Sequence, residues 1–225
     1  MIKRIFRKIG RIVSGQNRPL IFSSSSQYWD DRYNIGGNSG AGSYGRLAQF
    51  KANVLNEFVS RNGINSVVEY GCGDGAQLEL AIYPEYTGFD VSPTAVAICQ
   101  NKFADRPNLQ FFETKTSLDQ EGSFDLAISL DVIYHLIEDE VFDAYMQRLF
   151  ASSRNFVIIY SNNIEKTFES PHVRGRKFTR WCDEFAKDWT LLQIIENPYP
   201  FDPAAPNETS HSDFYIFKRV GSDYC

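Results

Sequence analysis

At 225 residues, 43% of them apolar and 15% aromatic, the chain can bury one sizeable core. A charged fraction of 23% argues against disorder over most of its length, and a net charge of −5 supplies no whole-molecule basic field to draw it onto nucleic acid. No run approaches the roughly 18 apolar residues of a membrane span, and the N-terminal charges run through their segment instead of preceding an apolar core, so a span and a secretory leader are not expected. Cys72, Cys99, Cys182 and Cys225 form neither a C-x-x-C pair nor a zinc-ligand cluster; they read as free thiols of a reducing compartment, and a cytoplasmic location is expected.

Residues 1–13, MIKRIFRKIGRIV, place Ile2, Ile5, Phe6, Ile9, Ile12 and Val13 at helical spacing, with Lys3, Arg4, Arg7, Lys8 and Arg11 on the remaining face. Two readings of this basic arm, residues 1–22, stay open. It rests peripherally on an anionic membrane face, or it packs on the domain or on a second copy in a homodimer. Residues 23–225 then form a single domain. Ser23–Ser26 reads as a polar linker, and 28–50, YWDDRYNIGGNSGAGSYGRLAQF, as a Gly/Ser loop flanked by aromatics that acts as a lid over about 28–46. A helix is expected from Tyr44 to Arg61, with Leu47, Phe50, Val54, Leu55 and Phe58 inward and Gly63 as its stop.

From there strand and helix alternate. Strands are expected at Ser66–Tyr70, Tyr86–Val91, Leu109–Glu113, Phe124–Leu130 and Asn155–Tyr160. Helices are expected after the glycine turn to about Ile82, at Pro93–Phe103 with Pro in the first turn, at Glu138–Phe150 and in part of Phe178–Ala186. Trp189–Glu196 and Asp213–Lys218, joined by a Pro-rich loop without a helix, read as an antiparallel pair at one sheet edge. The fold class is α/β: a Rossmann-like, doubly wound, seven-stranded and mostly parallel sheet with a C-terminal antiparallel pair.

The site signal is VVEYGCGDGAQLELA at 67–81, followed by YTGFDVS at 86–92. A strand ending in glycines lets a ligand approach the backbone, and the expected helix would aim its N-terminal amides at that ligand. Asp90, 19 residues after Gly71, puts a carboxylate at the neighbouring strand tip, chemistry suited to two ribose hydroxyls. Gly71-x-Gly73-x-x-Ala76 also satisfies the looser dinucleotide pattern, so an NAD-dependent dehydrogenase is an alternative. Glu69 weighs against it: two residues before the first glycine, a carboxylate repels a pyrophosphate and welcomes a cationic amine.

E-x-G-x-G-x-G after a strand, with an acid at the next strand tip, resembles the class I S-adenosylmethionine-dependent methyltransferases over roughly residues 44–220. YWDDRYNIGGNSGAGSYGRLAQFK, SLDVIYHLIEDEVFDAYM and HSDFYIFK are further similar to bacterial methyltransferases found with surface-polysaccharide and sugar-modifying enzymes. The resemblance implies S-adenosyl-L-methionine as cofactor, with Glu69, Gly71 and Gly73 at its methionine end and Asp90 at its ribose. It implies Glu113, or Thr114 through a backbone contact, at the adenine, and Leu130 and Asp131 at the methyl-transfer edge. Tyr28, Arg32, Tyr33 and Ser43 would close over it, with Arg32 as a carboxylate partner.

Transfer to a hydroxyl needs a proton acceptor. His135, following the fourth strand in DVIYHL, is the leading candidate, with Asp131 and Tyr134 as alternatives and His172 and His211 in later loops. A divalent cation between Asp131 and Asn162-Asn163 is a further option, although no metal site is expected overall. RGRKFTRW, with Arg174, Arg176, Lys177 and Arg180, could bind a substrate phosphate or be a solvated helix face. Asn197-Pro198-Tyr199-Pro200 lies after the sixth strand, not after the fourth where DNA amino-methylating enzymes hold a base; a nucleic-acid substrate is not expected. The expected substrate is a sugar hydroxyl of a nucleotide-sugar or glycan intermediate in surface-polysaccharide biosynthesis. Another small-molecule acceptor, methylated on nitrogen or carboxyl, and a non-catalytic cofactor-binding module are the alternatives.

Overall fold

A computed structural model describes residues 22–115 and 124–222; all but Phe22 of the basic arm, and Cys225, lie outside them. The chain enters through a helix, α1 (Ser25–Asn34), where the sequence suggested a linker and loop. Ser24 caps it, its Oγ accepting from the Gln27 amide at 3.3 Å. The Glu138 carboxylate, more than a hundred residues away, accepts from the Ser25 amide at 3.0 Å and the Ser25 hydroxyl at 2.6 Å. A negative charge at the positive end of the helix, together with burial of Tyr28 and Tyr33, supplies what the polar local sequence lacks. After a glycine-rich turn, α2 (Gly45–Arg61) buries Leu47, Ala48, Lys51, Ala52, Leu55 and Val59 along one stripe. It ends at Gly63, whose φ of +57° only glycine adopts freely.

The sheet strands follow: β1 (Ser66–Tyr70), β2 (Glu85–Asp90), β3 (Leu109–Glu113), β4 (Phe124–Leu130) and β5 (Ser153–Ser161). Between them run α3 (Pro93–Lys102), capped by Ser92 with Pro93 at its start, and α4 (Asp139–Ala151). A two-residue hairpin, β6 (Lys166–Thr167) with β7 (Arg174–Gly175), was not anticipated. Then come α5 (Phe178–Phe185), β8 (Trp189–Ile195) and β9 (Asp213–Arg219). The expected helix after the glycine turn is replaced by turns and one 3₁₀ turn, Leu78–Leu80. Gly73 and Gly75 hold left-handed φ values of +57° and +70°, which no helix propagates. The Asn56 side chain of α2 then pins the segment through Leu80 O and the Ile82 amide, both at 2.9 Å.

The seven-stranded order is β3-β2-β1-β4-β5-β9-β8, parallel through β5, with β9 antiparallel between β5 and β8. Period-two alternation divides the core. Val67, Ile128, Phe156 and Phe214 pack under Leu55, Val59, Val96 and Cys99 of α2 and α3. Val68, Ala127, Val157 and Phe217 pack on the other face under Phe142, Met146, Leu149 and Trp181 of α4 and α5. Strand order reverses between β1 and β4, which opens a crevice at the carboxyl ends of the strands.

Candidate active site

A cavity of about 490 Å³ occupies that crevice. Its floor is the strand rim, with Glu69, Gly71, Asp90, Thr114, Leu130, Asp131 and His135; its cover carries Trp29, Tyr33, Ser39, Ser43 and Lys51.

The glycine turn is shaped as much by protein as by ligand. Gly71 has φ +92°, and a Cβ there would lie 2.4 Å from Val132 Cγ2. A Cβ on Gly73 would meet Ser39 Oγ at 2.3 Å and Tyr33 Oη at 2.8 Å, so the segment covering the cavity packs directly on that glycine. The Gly73 and Ser92 amides each donate to one Asp90 oxygen at 2.9 Å. Burial nevertheless raises the Asp90 pKa to about 6, these amide bonds opposing the shift. Glu69, also buried, is raised to about 7; the Tyr86 hydroxyl, donating to Oε2 at 2.6 Å, and the Lys51 charge pull the other way.

Asp74 latches the cover. Its carboxylate accepts from the Ser39 amide at 3.0 Å, the Ser39 hydroxyl at 2.8 Å and the Tyr44 hydroxyl at 3.0 Å. These bonds outweigh the desolvation of a partly buried acid, and its pKa falls below the usual range.

At the tip of β4, Asp131 stands at φ +59°, a left-handed conformation that aspartate and asparagine tolerate better than other non-glycine residues. Its partners hold it there. Lys51, 1% exposed, donates from Nζ to Oδ2 at 2.6 Å, and Tyr134 and Ser212 donate to Oδ1 at 3.0 and 3.3 Å. A Cβ on Gly42 would come within 2.9 Å of the same Oδ2, so the glycine-rich turn packs onto this carboxylate too.

His135 follows on a 3₁₀ turn, Ile133–His135. Its Nδ1 lies 2.8 Å from the His172 carbonyl, Trp29 meets the ring edge-on at 4.8 Å and His172 stacks at 5.7 Å. Burial depresses its pKa to about 4, so the ring is neutral at physiological pH.

Residues 67–155 match the family model for a methyltransferase domain. EEF1A lysine methyltransferase 4 of Mus musculus is 33% identical over 181 residues, covering 73% of this chain and 68% of that protein. The chain belongs to the class I S-adenosylmethionine-dependent methyltransferases. The fold agrees. N-methyltransferase NodS from Bradyrhizobium japonicum, solved with S-adenosylhomocysteine, superposes with a TM-score of 0.65 at 15% identity, covering 88% of this chain and 99% of that one. Magnesium protoporphyrin IX methyltransferase from Synechocystis, also solved with S-adenosylhomocysteine, gives 0.64 at 17% identity, covering 87% and 98%.

The residues of this methyltransferase suit a cofactor that carries a cationic amine and a ribose diol: two buried acids on separate strands, Glu69 and Asp90, face one cavity. Tyr33, Ser43, Thr114, Leu130 and Asp131 join them on its wall. Four other expected residues do not. Arg32 donates through Nε to Asn38 O at 2.6 Å, bracing its own turn. Tyr28 stacks on His172 at 4.3 Å, behind the wall. Glu113 pairs beside Asp90 in the sheet but is not on the wall, and the Thr114 amide that could replace it donates to Asp90 O at 2.8 Å. Tyr134 spends its hydroxyl on Asp131, where burial and that carboxylate hold its pKa well above normal, so it is no base.

Other readings shift likewise. Arg174 and Arg176 bind Asp139 and the Ile137 carbonyl, and Arg176 also the Leu136 carbonyl, bracing the post-β4 segment rather than awaiting phosphate. Asn163 bonds Thr179 at 3.0 Å, and His211 stacks on Phe201 at 4.1 Å. Lys51, Asp74 and Trp29 were not singled out from the sequence. Lys51 had a signal: a charge in the i, i+4 stripe Leu47, Lys51, Leu55, Val59.

Proposed function

We propose that this methyltransferase transfers a methyl group to a hydroxyl of a sugar, borne by a nucleotide or by a glycan intermediate, with His135 as proton acceptor. The observation that carries this reading is the bond between His135 Nδ1 and the His172 carbonyl. A carbonyl accepts and cannot donate, so Nδ1 holds the ring proton and Nε2 keeps its lone pair. His135 lines the cavity, and its neutral ring needs no prior deprotonation.

The cofactor supplies a methyl group on an electrophilic sulfonium. Glu69, Gly71 and Gly73 would hold its methionine end, Asp90 its ribose, and Thr114 would flank the adenine. Leu130 and Asp131 would shape the transfer edge, with Tyr33 and Ser43 covering it. Alignment and exclusion of water are the main work of these groups. The acceptor proton becomes strongly acidic only as the oxygen attacks, so a weakly basic imidazole suffices to take it. Resemblance to sugar-modifying methyltransferases supports the acceptor class, and Trp29 offers an apolar ring on the wall. Labelled cofactor supplied with a panel of nucleotide-sugars and glycan intermediates tests it; transfer to none of them removes the sugar.

A second reading is an amine acceptor. The 33% identical relative is named as a lysine methyltransferase, and Glu138 and Glu140 on the cavity wall would attract a cation. Lysine-bearing peptides in the same panel separate the two. The basic arm would hold the enzyme at an anionic membrane or join two copies. Liposome flotation and sizing, with and without residues 1–15, distinguish these roles.

A further inference from the structure

Three parallel rings from three segments meet beside the cavity. Tyr28 of α1 stacks on His172 with centroids 4.3 Å apart, and His172 lies parallel to His135 at 5.7 Å, with 13° between the planes in each pair. His172 belongs to the loop between β6 and β7. Glu169, Ser170 and Pro171 before it are exposed, so His172 is where that loop returns to the protein. Tyr28 is 6% exposed and firmly held: Trp29 meets its ring edge-on at 5.6 Å, and Glu138 binds the first turn of its helix. The better-anchored ring places the other.

His172 presents both its ring and its carbonyl to His135, the oxygen lying 2.8 Å from Nδ1. Ring and carbonyl hang on one Cα, so the stack that orients the ring also orients the carbonyl. Arg174 ties the loop to the Ile137 carbonyl two residues later, which fixes where the loop runs and leaves the direction of the His172 carbonyl to its own residue. The contacts close a circuit, because Glu138, three residues after His135, binds Ser25, three residues before Tyr28. Neither Tyr28 nor His172 stands on the cavity wall, so any effect they have on the reaction passes through His135. We propose that Tyr28 and His172 are positioning residues: the Tyr28–His172 stack aims the His172 carbonyl at His135 Nδ1 and so keeps the Nε2 lone pair free on the cavity side. This deepens the reading of His135 as proton acceptor and rests on it.

The test is the tautomer itself, read by nitrogen NMR of histidine-labelled enzyme at about pH 7.5, where the His135 ring is neutral. The chain has three histidines, and the His135 signals are those lost in His135→Ala. The wild-type ring should carry its proton on Nδ1. Tyr28→Leu keeps bulk without a flat face, and His172→Ala keeps the carbonyl without the ring. Each should move roughly a tenth or more of His135 to the Nε2-protonated form, the size expected when one hydrogen bond is weakened. Tyr28→Phe and His172→Phe keep the stack and should stay wild-type. S-adenosylhomocysteine affinity, measured by calorimetry, should stay within about twofold in all four. An unchanged tautomer in His172→Ala, whose half-exposed site tolerates truncation should Tyr28→Leu not fold, would overturn the proposal and leave His135 its role. A tautomer change accompanied by an equal loss of S-adenosylhomocysteine affinity would mark a general disturbance and overturn it too. A wild-type ring protonated on Nε2 would instead remove the reading of His135 on which the proposal rests.

Discussion

Lys51 Nζ and Asp131 Oδ2 lie 2.6 Å apart, joining the middle of α2 to the tip of β4 across 80 positions of sequence. The lysine is almost wholly buried, so the carboxylate is what permits its charge inside the fold. The pair also holds Asp131 at its left-handed φ, and with it the turn that delivers His135.

Lys51→Met should therefore cost about 3 kcal/mol, near the lower bound for breaking a buried pair from one side. For a chain of this size that is a melting-temperature drop of about 6–12 °C. Lys51→Met with Asp131→Asn removes both charges, and asparagine tolerates the left-handed backbone. The double variant should recover more than half of the stability in urea unfolding; an additive double loss would show that the two do not couple.

The raised acids set a pH signature. Glu69 and Asp90 have native pKa values of about 7 and 6, above their ordinary 4.5 and 3.8. The native state thus binds more protons than the unfolded chain between these limits. Their contribution to stability is full below about pH 4 and is lost as pH rises through 6 to 7. A cationic tail favours ionised Glu69, so S-adenosylhomocysteine should bind roughly fivefold to tenfold tighter at pH 7.5 than at pH 6, with proton release. Calorimetry in two buffers measures both. Glu69→Gln should flatten most of the profile and leave the part that belongs to Asp90.

His135→Ala should lower kcat by about 10²- to 10⁴-fold while cofactor affinity, read by calorimetry, stays within a few-fold. With its pKa near 4, this histidine gives no inflection in kcat between pH 6 and 8. The linkage is the reverse of that for the acids. Its contribution to stability is present above about pH 6.5 and is lost as pH falls towards 4, because the unfolded ring binds the proton more readily. A kcat profile that rises through pH 6.5 would show a solvated imidazole instead.

Asp74→Ala removes the three bonds from Ser39 and Tyr44. The cover should open more often, with cofactor dissociating about tenfold faster in stopped flow and cleavage of residues 35–44 accelerating in limited proteolysis. Tyr44→Phe deletes one bond and should give a smaller change in the same direction.

Much of the frame was legible because its signals are local. Apolar runs mark β1 and β4, Pro93 opens α3, and Gly63 closes α2. Residue types alone also marked the glycine turn, Glu69 and Asp90, which the fold brings to the wall of one cavity. Two readings went astray because local patterns were overruled. The helix expected after Gly75 yields to left-handed glycines and to Asn56, and the loop expected at Tyr28 becomes α1 because Glu138 binds its first turn.

By itself the sequence determined the strand–helix alternation, the glycine turn and the acids at two strand tips, all written in neighbouring residues and short periods. Tertiary structure alone decided that Lys51 meets Asp131, that Asp74 binds Ser39 and Tyr44, and that the His172 carbonyl faces Nδ1 of His135. Each of those is a polar contact between segments distant in sequence, and a side chain's charge or tautomer is set by the partner that folding brings to it.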